Sequence, residues 1–256
     1  MVKMLRFLKQ FIYGLLFLSF WALIAGGIYL LFLRTTASCF DNLQNQNETG
    51  IDCGGSCISC ELKALQPLFF FEPVVFENNG LTSVLFEISN PNLNYGSDNF
   101  EYKIRFYDKE NNLLQSLNRA SFIFAGETKE LAEAGLRLGA RSAARAELVS
   151  ENTDWKPLTD WQPPILDVRN LRFEPGLGIV TATGQIRNPS NFRVPEAVVV
   201  AVALDQFSRP AGVSKTELKN LLPFEERNFQ ILIPFNPLIQ NQINPEATRV
   251  SVKGRR

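Results

Sequence analysis

An uninterrupted apolar run lies near the start of the chain, and alternating apolar and polar positions fill most of the remaining residues. Residues 11–33 contain no charged side chain. A helix of this length spans roughly 34 Å at about 1.5 Å per residue, enough to cross a hydrocarbon core of about 30 Å. The pattern predicts a transmembrane helix over 11–33, preceded by a short tail at 1–10.

The charges around this run predict its orientation. Lys3, Arg6 and Lys9 precede it, whereas only Arg34 lies after it before the chain becomes polar and acidic. The positive-inside rule then places the tail in the cytoplasm and the remaining domains outside the membrane. Small residues at 35–39 also allow a cleaved signal peptide or a lipoprotein site, but the run exceeds the usual length of about 7–15 residues. We therefore predict an uncleaved, single-pass anchor in the cell membrane.

Beyond residue 60 the apolar positions recur with a period of two, as in the segments 100–107 and 180–187. This alternation is typical of half-buried strands. Turn residues such as Asn, Pro and Gly separate the alternating segments. Many short strands joined by such turns predict a mainly β fold of antiparallel, immunoglobulin-like β-sandwiches.

The order of these features occurs twice. The Asn-Pro pair at 90–91 returns at 188–189, and Gly126-Glu127 aligns with Glu225-Glu226. A repeated order of this kind predicts two copies of one unit, which we place at 65–152 and 165–254.

A Pro-rich linker is predicted at 153–164, between the two copies. We expect its tryptophans, Trp155 and Trp161, to pack at the domain junction. One segment conflicts with the pattern, because 128–148 has a helix-favouring composition. Gly135 and Gly139 would interrupt a helix there, so we predict strands.

All four cysteines fall within 39–60: Cys39, Cys53, Cys57 and Cys60. In an exported segment, an even number of cysteines predicts two disulfides, and three pairings remain open. A tetrahedral zinc site and a redox-active C-x-x-C pair are the alternatives that these residue types allow.

The same segment carries five oxygen-bearing side chains: Asp41, Asn45, Asn47, Glu48 and Asp52. Calcium prefers oxygen ligands, so the cluster is a candidate calcium site. The alternative is an Asx-rich turn whose side chains accept hydrogen bonds from their own backbone. No other cofactor is predicted.

Two resemblances rest on these motifs. Residues 39–60 resemble the motif C-x-D-G-x-x-N-x-x-E-x-x-x-D-C-G-G-x-C-x-x-C of bacterial surface and secreted proteins, with Asn42 in place of the usual Gly. Residues 104–108, with Leu204-Asp205 at the equivalent place in the second copy, resemble the FxLYD-type and related immunoglobulin-like domains of exported proteins. The resemblances imply an extracytoplasmic setting and a sandwich fold, and no particular activity.

The amino-acid composition argues against some classes of function for this chain, as its charges and its lack of histidine indicate. The chain has 26 basic and 26 acidic residues and no basic stripe, so nucleic acid is not an expected partner. Histidine is absent, which removes the commonest general base. We predict no enzymatic activity, and a Ser–Lys pair is the one catalytic arrangement left open. Acidic residues predominate in the first copy and basic residues in the second.

These observations predict a membrane-anchored, extracytoplasmic binding or structural protein that holds a protein or a surface polymer at the cell surface. The alternative is an accessory subunit of an envelope secretion or surface-appendage assembly.

Overall fold

The computed structural model describes residues 2–29, 39–45, 47–139, 142–159 and 161–255. It confirms the predicted fold class: an apolar N-terminal helix, a disulfide-containing segment and antiparallel β-sandwiches. Two compact units are present, Met1–Leu65 and Gln66–Arg256.

The N-terminal helix α1 runs from Val2 to Ile28. Its stretch Lys9–Ile28 is 20 residues long, and none of it is buried against other parts of the chain. It is therefore long and apolar enough to cross a membrane, and a signal sequence would have the same properties. The end of the predicted span at 30–33, with Arg34 and the possible cleavage residues up to 38, lies outside the described residues.

The cysteine segment contains the disulfides Cys39–Cys57 and Cys53–Cys60, which selects one of the three possible pairings. The short helix α2, Cys60–Lys63, closes the segment. The Ser59 hydroxyl caps this helix by accepting a hydrogen bond from the backbone N–H of Leu62 at 3.2 Å.

In its described residues, the second unit consists of strands and a 3-10 helix, Pro237–Gln242, which precedes the last strand. The strands are β1 (Phe69–Phe70), β2 (Val74–Asn78), β3 (Leu81–Ser89), β4 (Tyr95–Tyr107), β5 (Leu113–Ile123), β6 (Thr128–Leu136), β7 (Arg145–Pro157), β8 (Asp167–Gly176), β9 (Ile179–Arg187), β10 (Val194–Asp205), β11 (Pro210–Leu221), β12 (Glu226–Pro234) and β13 (Ile243–Arg255).

The described strands form four antiparallel sheets. The order β5-β4-β7 faces the order β1-β3-β2, with β6 also paired to β3, and these two sheets make the first sandwich. The second sandwich consists of β11-β10-β13 and β12-β9-β8. Inward-facing residues of β4, such as Phe100, Ile104 and Phe106, are fully buried. The period-two alternation predicted from the sequence therefore marks the core face.

The repeated Asn-Pro pairs form matching corners in the two sandwiches. Asn90 and Asn188 are both buried. The Asn90 side-chain amide donates to the carbonyl of Phe124 at 2.9 Å, and that of Asn188 donates to the carbonyl of Leu222 at 3.0 Å. Each asparagine therefore ties the corner to a turn far along the chain.

The structure corrects the register of the repeat. The backbone N–H of the corner asparagine donates to the carbonyl of Glu127 in the first copy and of Glu225 in the second, each at 2.9 Å. Glu127 thus matches Glu225, and not Glu226. Gly126 and Phe224 then occupy the same left-handed turn position, with φ of 63° and 60°. The phenylalanine hides the match at the sequence level, because such φ values favour glycine.

Within the segment 128–148, residues 128–136 form β6 and residues 145–148 begin β7, so strands occur there as predicted. Strand β7 continues to Pro157, past residue 152, where the sequence placed the end of the first sandwich. The prediction for Trp155 is therefore wrong, because Trp155 lies in β7 and packs against the core of the first sandwich. Trp161 does lie at the junction, where it stacks on Phe124 with ring centres 4.0 Å apart and clusters with Val198 of the second sandwich.

Strand β10 is buried on both faces, and this joins the two sandwiches. Val199 and Ala201 face the core of the second sandwich. Val200 and Val202 face the opposite way and pack with Leu85 and Ala132 of the first sandwich. The middle two sheets are therefore packed against each other, and the unit Gln66–Arg256 has four layers of sheet.

Ion pairs surround this apolar contact. Glutamates of the first sandwich meet cations of the second in the pairs Lys215–Glu133, Arg249–Glu130 and Lys253–Glu127. The excess of acidic residues in the first copy and of basic residues in the second thus provides complementary charges at the interface.

Candidate functional site

The outer sheet β12-β9-β8 of the second sandwich carries an open groove of about 670 Å³ on its solvent face. All three strands contribute to it. The lining residues are Asn170, Arg172, Thr183, Gly184, Gln185, Asn228, Phe229 and Gln230.

A β-bulge shapes the groove. The register of β8 against β9 shifts between Arg169 and Arg172, and Asn170 has a φ of 52°. The Asn170 side-chain amide donates to the Gln185 side-chain oxygen at 2.8 Å. Across from the bulge, a Cβ at Gly184 would lie 2.9 Å from the ring of Phe229, so glycine permits the close packing there. Bulges of this kind often redirect side chains at binding sites.

The groove carries a positive charge with no acidic residue in its described lining to balance it. Arg172 is exposed and makes no ion pair or hydrogen bond with any described residue. None of the lining residues is Asp or Glu. The neighbouring Arg169, in contrast, pairs with Asp167 and Glu226. The groove therefore combines one unpaired guanidinium with neutral amide and hydroxyl groups.

The opposite outer face, on β5-β4-β7, has a different character. Its charges pair with one another, as in Lys103–Glu151, and Tyr107 donates to Glu147 at 2.8 Å. A smaller depression of about 310 Å³ on this face is lined by Glu101, Asn118, Arg119, Ala120 and Glu151. Charged groups on this face therefore have partners on the same face, whereas Arg172, Thr183, Asn228 and Gln230 of the groove have no side-chain partner among the described residues.

Ser121 and Lys129 form a Ser–Lys pair at the edge of the sandwich interface. The Lys129 ammonium lies 3.3 Å from the Ser121 hydroxyl and 3.7 Å from the centre of the Phe122 ring. Burial lowers the pKa of Lys129 to about 7, and the nearby Glu127 carboxylate opposes this shift. A lysine that loses its proton near neutral pH is able to activate a serine.

The space beside Ser121 is small. A cavity of about 80 Å³ between the sandwiches is lined by residues that include Ser121, Tyr102 and Lys215. At about 30 Å³ per water it has room for two or three water molecules, and not for an acyl substrate. Burial also raises the pKa of Tyr102, with a smaller contribution from Glu133, so its hydroxyl stays protonated.

The candidate calcium ligands mostly accept hydrogen bonds within their own segment. Asp52 is buried, and its Oδ1 accepts from the backbone N–H groups of Asp41 at 2.9 Å and Asn42 at 3.0 Å. Glu48 accepts from the backbone N–H of Asn45 at 3.1 Å. These contacts are those of an Asx-rich turn.

The positions of neighbouring side chains also affect whether this segment can bind calcium. The Lys63 ammonium lies 3.4 Å from Asp52 Oδ2 and competes with a cation for that oxygen. The Asn45 side chain donates to Asp41 Oδ2 at 2.9 Å, and Asn47 is exposed. The carboxylates of Asp41, Glu48 and Asp52 do not form a converging group of metal ligands. Most of the candidate oxygens therefore accept hydrogen bonds within the turn, whereas the buried Asn45 Oδ1 has no hydrogen-bond partner among the described residues, and calcium binding stays a prediction.

Within the described residues, the one converging group of potential ligands is Cys39, Glu48 and Cys57. Both of its sulfurs belong to the Cys39–Cys57 disulfide. Zinc requires thiolates, which these oxidised cysteines do not offer. A redox-active C-x-x-C pair forms a disulfide between its own two cysteines, whereas Cys57 and Cys60 are bonded to Cys39 and Cys53.

Sequence reasoning did not identify the groove. The sequence does contain a pattern of polar residues at the groove. Alternate outward positions are occupied by Thr183 and Gln185 on β9 and by Asn228 and Gln230 on β12. Neutral polar residues at such positions are ordinary on a solvated sheet. The bulge at Asn170 and the missing partner of Arg172 become visible only in three dimensions.

No family model and no curated protein matches the chain. Among solved structures it is similar to the crystal structure of red sea bream transglutaminase, at 11% identity over 74% of this chain and 31% of that one, with a TM-score of 0.23. It is also similar to a structure named pT26-6p, at 8% identity over 68% of this chain and 60% of that one, with a TM-score of 0.18. The chain covers less than two thirds of either structure, and TM-scores this low support no argument about fold or activity.

Proposed function

We propose that the protein is a membrane-anchored, extracytoplasmic binding protein without enzymatic activity, which holds a protein or a surface polymer at the cell surface. The main support for membrane anchoring is the exposure of the apolar stretch Lys9–Ile28. Side chains such as Phe17, Leu18 and Leu23 are more than half exposed. A contiguous apolar surface of this kind is stable in lipid and not in water.

Two further features support the orientation. The basic residues Lys3, Arg6 and Lys9 favour a cytoplasmic N-terminus. The disulfides in 39–60 suit an oxidising compartment outside the cytoplasm. The resemblance of 39–60 to a motif of bacterial surface proteins agrees with this placement.

The layered sandwiches support a binding role. Apolar packing and ion pairs hold the two sandwiches together, so they form a stiff platform for ligands. The groove on β12-β9-β8 faces solvent on this platform. The small cavity beside Ser121 supports the absence of catalysis at the Ser121–Lys129 pair.

Fractionation of the full chain in its membrane tests the anchoring. We expect the protein to resist extraction by alkaline carbonate, and protease added outside spheroplasts to leave only a small membrane-bound fragment. A Leu18→Lys, Leu23→Lys variant should become extractable, because two charges at the centre of a span are each unfavourable by about 3 kcal/mol. A Leu171→Lys, Leu232→Lys variant on the second sandwich is the matched control and should remain in the membrane. Release of the unaltered chain with a new N-terminus near residue 38 would show a cleaved signal peptide instead.

A second candidate function is an accessory subunit of an envelope assembly. It is favoured by three exposed apolar side chains, Leu177, Phe207 and Leu238, at one end of the second sandwich. Their loops are tied together, because Gly178 donates to the Gln240 side chain at 2.8 Å and Gln206 donates to the Gln242 carbonyl at 2.7 Å. Interface cores are rich in such residues.

Photo-crosslinking in living cells separates this candidate from the first. A photoreactive residue at 238 should give one discrete adduct with another envelope protein if the chain is an assembly subunit. The same residue at 174, on exposed β8, is the control. Absence of any adduct specific to position 238 would reject the assembly role.

A further inference from the structure

The side chains that line the groove indicate which class of ligand it can bind. Its amide and hydroxyl side chains act as both donors and acceptors, and Thr183, Asn228 and Gln230 make no side-chain hydrogen bond to the described residues. Such groups match ligands that carry many hydroxyls. No exposed aromatic ring lines the groove, so binding has to rest on hydrogen bonds and charge.

Arg172 adds a requirement for an anion. Its guanidinium is exposed and unpaired among the described residues, and no carboxylate lines the groove. A planar guanidinium binds carboxylate groups in a bidentate manner. The ligand that satisfies both sets of groups carries hydroxyls and carboxylates together.

We propose that this groove binds a carboxylate-bearing polysaccharide, with Arg172 receiving a uronate carboxylate and the surrounding amides receiving ring hydroxyls. The inference deepens the binding role proposed above by naming its ligand class, and it is independent of the membrane anchoring.

The geometry favours a polysaccharide over an acidic peptide. The groove crosses three strands, which at about 4.8 Å between neighbours places its outer strands about 10 Å apart. The backbone groups of the central strand β9 are already paired with β8 and β12 on either side. An extended peptide binds mainly through backbone hydrogen bonds at a sheet edge, whereas this face offers only side chains.

Calorimetric titration of the full chain in detergent micelles tests the proposal. The probes are hexagalacturonate, its methyl ester, which lacks the charges, and hexaglutamate. We expect hexagalacturonate to bind at least about tenfold more tightly than its ester, because a charge-assisted hydrogen-bond pair contributes this much. It should also bind more tightly than hexaglutamate, because the peptide has carboxylates but lacks the ring hydroxyls that the amides receive. Binding should weaken as salt is added.

Variants assign the roles within the groove. Arg172→Gln should lose about tenfold in affinity for the acid and remove the discrimination between acid and ester. Asn228→Ala with Gln230→Ala should weaken both sugars equally, because amides bind hydroxyls and not charge. Arg169→Gln, on the same strand but outside the groove, is the matched control and should change affinity less than about twofold. Melting curves check that each variant is folded.

Three outcomes of the titrations with the unaltered chain would overturn the proposal: no binding of hexagalacturonate at millimolar concentrations, equal binding of acid and ester, or tighter binding of hexaglutamate. An equal loss in Arg169→Gln and Arg172→Gln would also reject it, because the effect would then reflect overall charge. None of these results affects the outcome of carbonate extraction, so the proposal of membrane anchoring is tested independently of the proposed ligand.

Discussion

Single buried polar residues hold the turns of both sandwiches. Asn188 is fully buried, and its side-chain amide donates to the carbonyls of Phe192 at 2.8 Å and Leu222 at 3.0 Å. Its side-chain oxygen accepts from the backbone N–H of Ser190 at 3.1 Å. A side chain that satisfies several buried backbone groups is hard to replace, because each group loses its partner on substitution.

We expect Asn188→Ala to lower the free energy of unfolding by about 2–4 kcal/mol, since it leaves buried carbonyls unpaired. Asn191→Ala, at an exposed position in the same turn, should change it by less than about 0.5 kcal/mol. Urea denaturation followed by tryptophan fluorescence measures both. Equal effects would show that the hydrogen bonds of Asn188 do not stabilise the corner.

Lys129 links stability to pH. Burial lowers its pKa from the ordinary value of 10.5 to about 7, while Glu127 and Glu196 oppose the shift and Lys253 and Arg255 reinforce it. Between pH 7 and 10.5 the unfolded chain therefore holds a proton that the folded chain has released. The contribution of Lys129 makes stability rise with pH across this window and level off below pH 7.

We expect Lys129→Met to remove this rise and to stabilise the protein at pH 7 by about 1–4 kcal/mol, because an apolar side chain of similar size replaces a buried amine. Lys219→Met, at an exposed position on β11, should keep the pH dependence of the unaltered chain. Denaturation at several pH values between 6 and 10.5 tests both. A pH profile of Lys129→Met that parallels the unaltered chain would contradict this assignment.

At the scale of elements, the disulfides and the strands are separate sources of stability. All four cysteines lie within 39–60, and β1 to β13 contain none. Each sandwich has its own buried core, with residues such as Phe86 in the first and Ile186 in the second. The disulfides therefore restrain only the short segment, which has few buried apolar residues of its own.

We expect reductant to leave the melting of the sandwiches unchanged, as followed by the fluorescence of Trp155 and Trp161 in the full chain in detergent. The segment 39–60 should become sensitive to protease only when it is reduced. A Cys53→Ser, Cys60→Ser variant should show the same protease sensitivity without reductant. A lower melting temperature of the tryptophan signal under reductant would show that the segment belongs to the sandwich core.

At the scale of the molecule, the two sandwiches are joined through β10. All eight residues of the run Ala197–Leu204 are apolar, which is typical of a strand buried on both faces. Val202 has no exposed surface and packs with Leu85 and Ala132 across the interface. The complementary charges around this contact favour the pairing of acidic and basic copies over pairing of like with like.

We expect Val202→Asp to separate the sandwiches, because the interface would bury an unpaired carboxylate. Calorimetry of the full chain should change from one unfolding transition to two. Leu232→Asp, at an exposed position on β12, should keep the single transition. Two transitions in the unaltered chain would contradict cooperative coupling between the sandwiches.

Features that depend on neighbouring residues were predictable from the sequence. The apolar run of α1, the strand alternation, the Asn-Pro corners and the clustering of the cysteines all depend on local spacing. Strands at 128–148 were predictable despite a helix-favouring composition, because Gly135 and Gly139 interrupt a helix and both adopt positive φ.

Other features depend on residues far apart in the chain, and these required the three-dimensional fold. The disulfide pairing depends on which cysteines approach closely, and three pairings are equivalent in sequence. The burial of Lys129, the place of Trp155 in β7 and the two-sided burial of β10 depend on which sheets meet. The groove depends on a bulge between β8 and β9 and on the side chains that three strands bring together around it. Burial and electrostatic balance are sums over such distant neighbours, and linear spacing does not contain them.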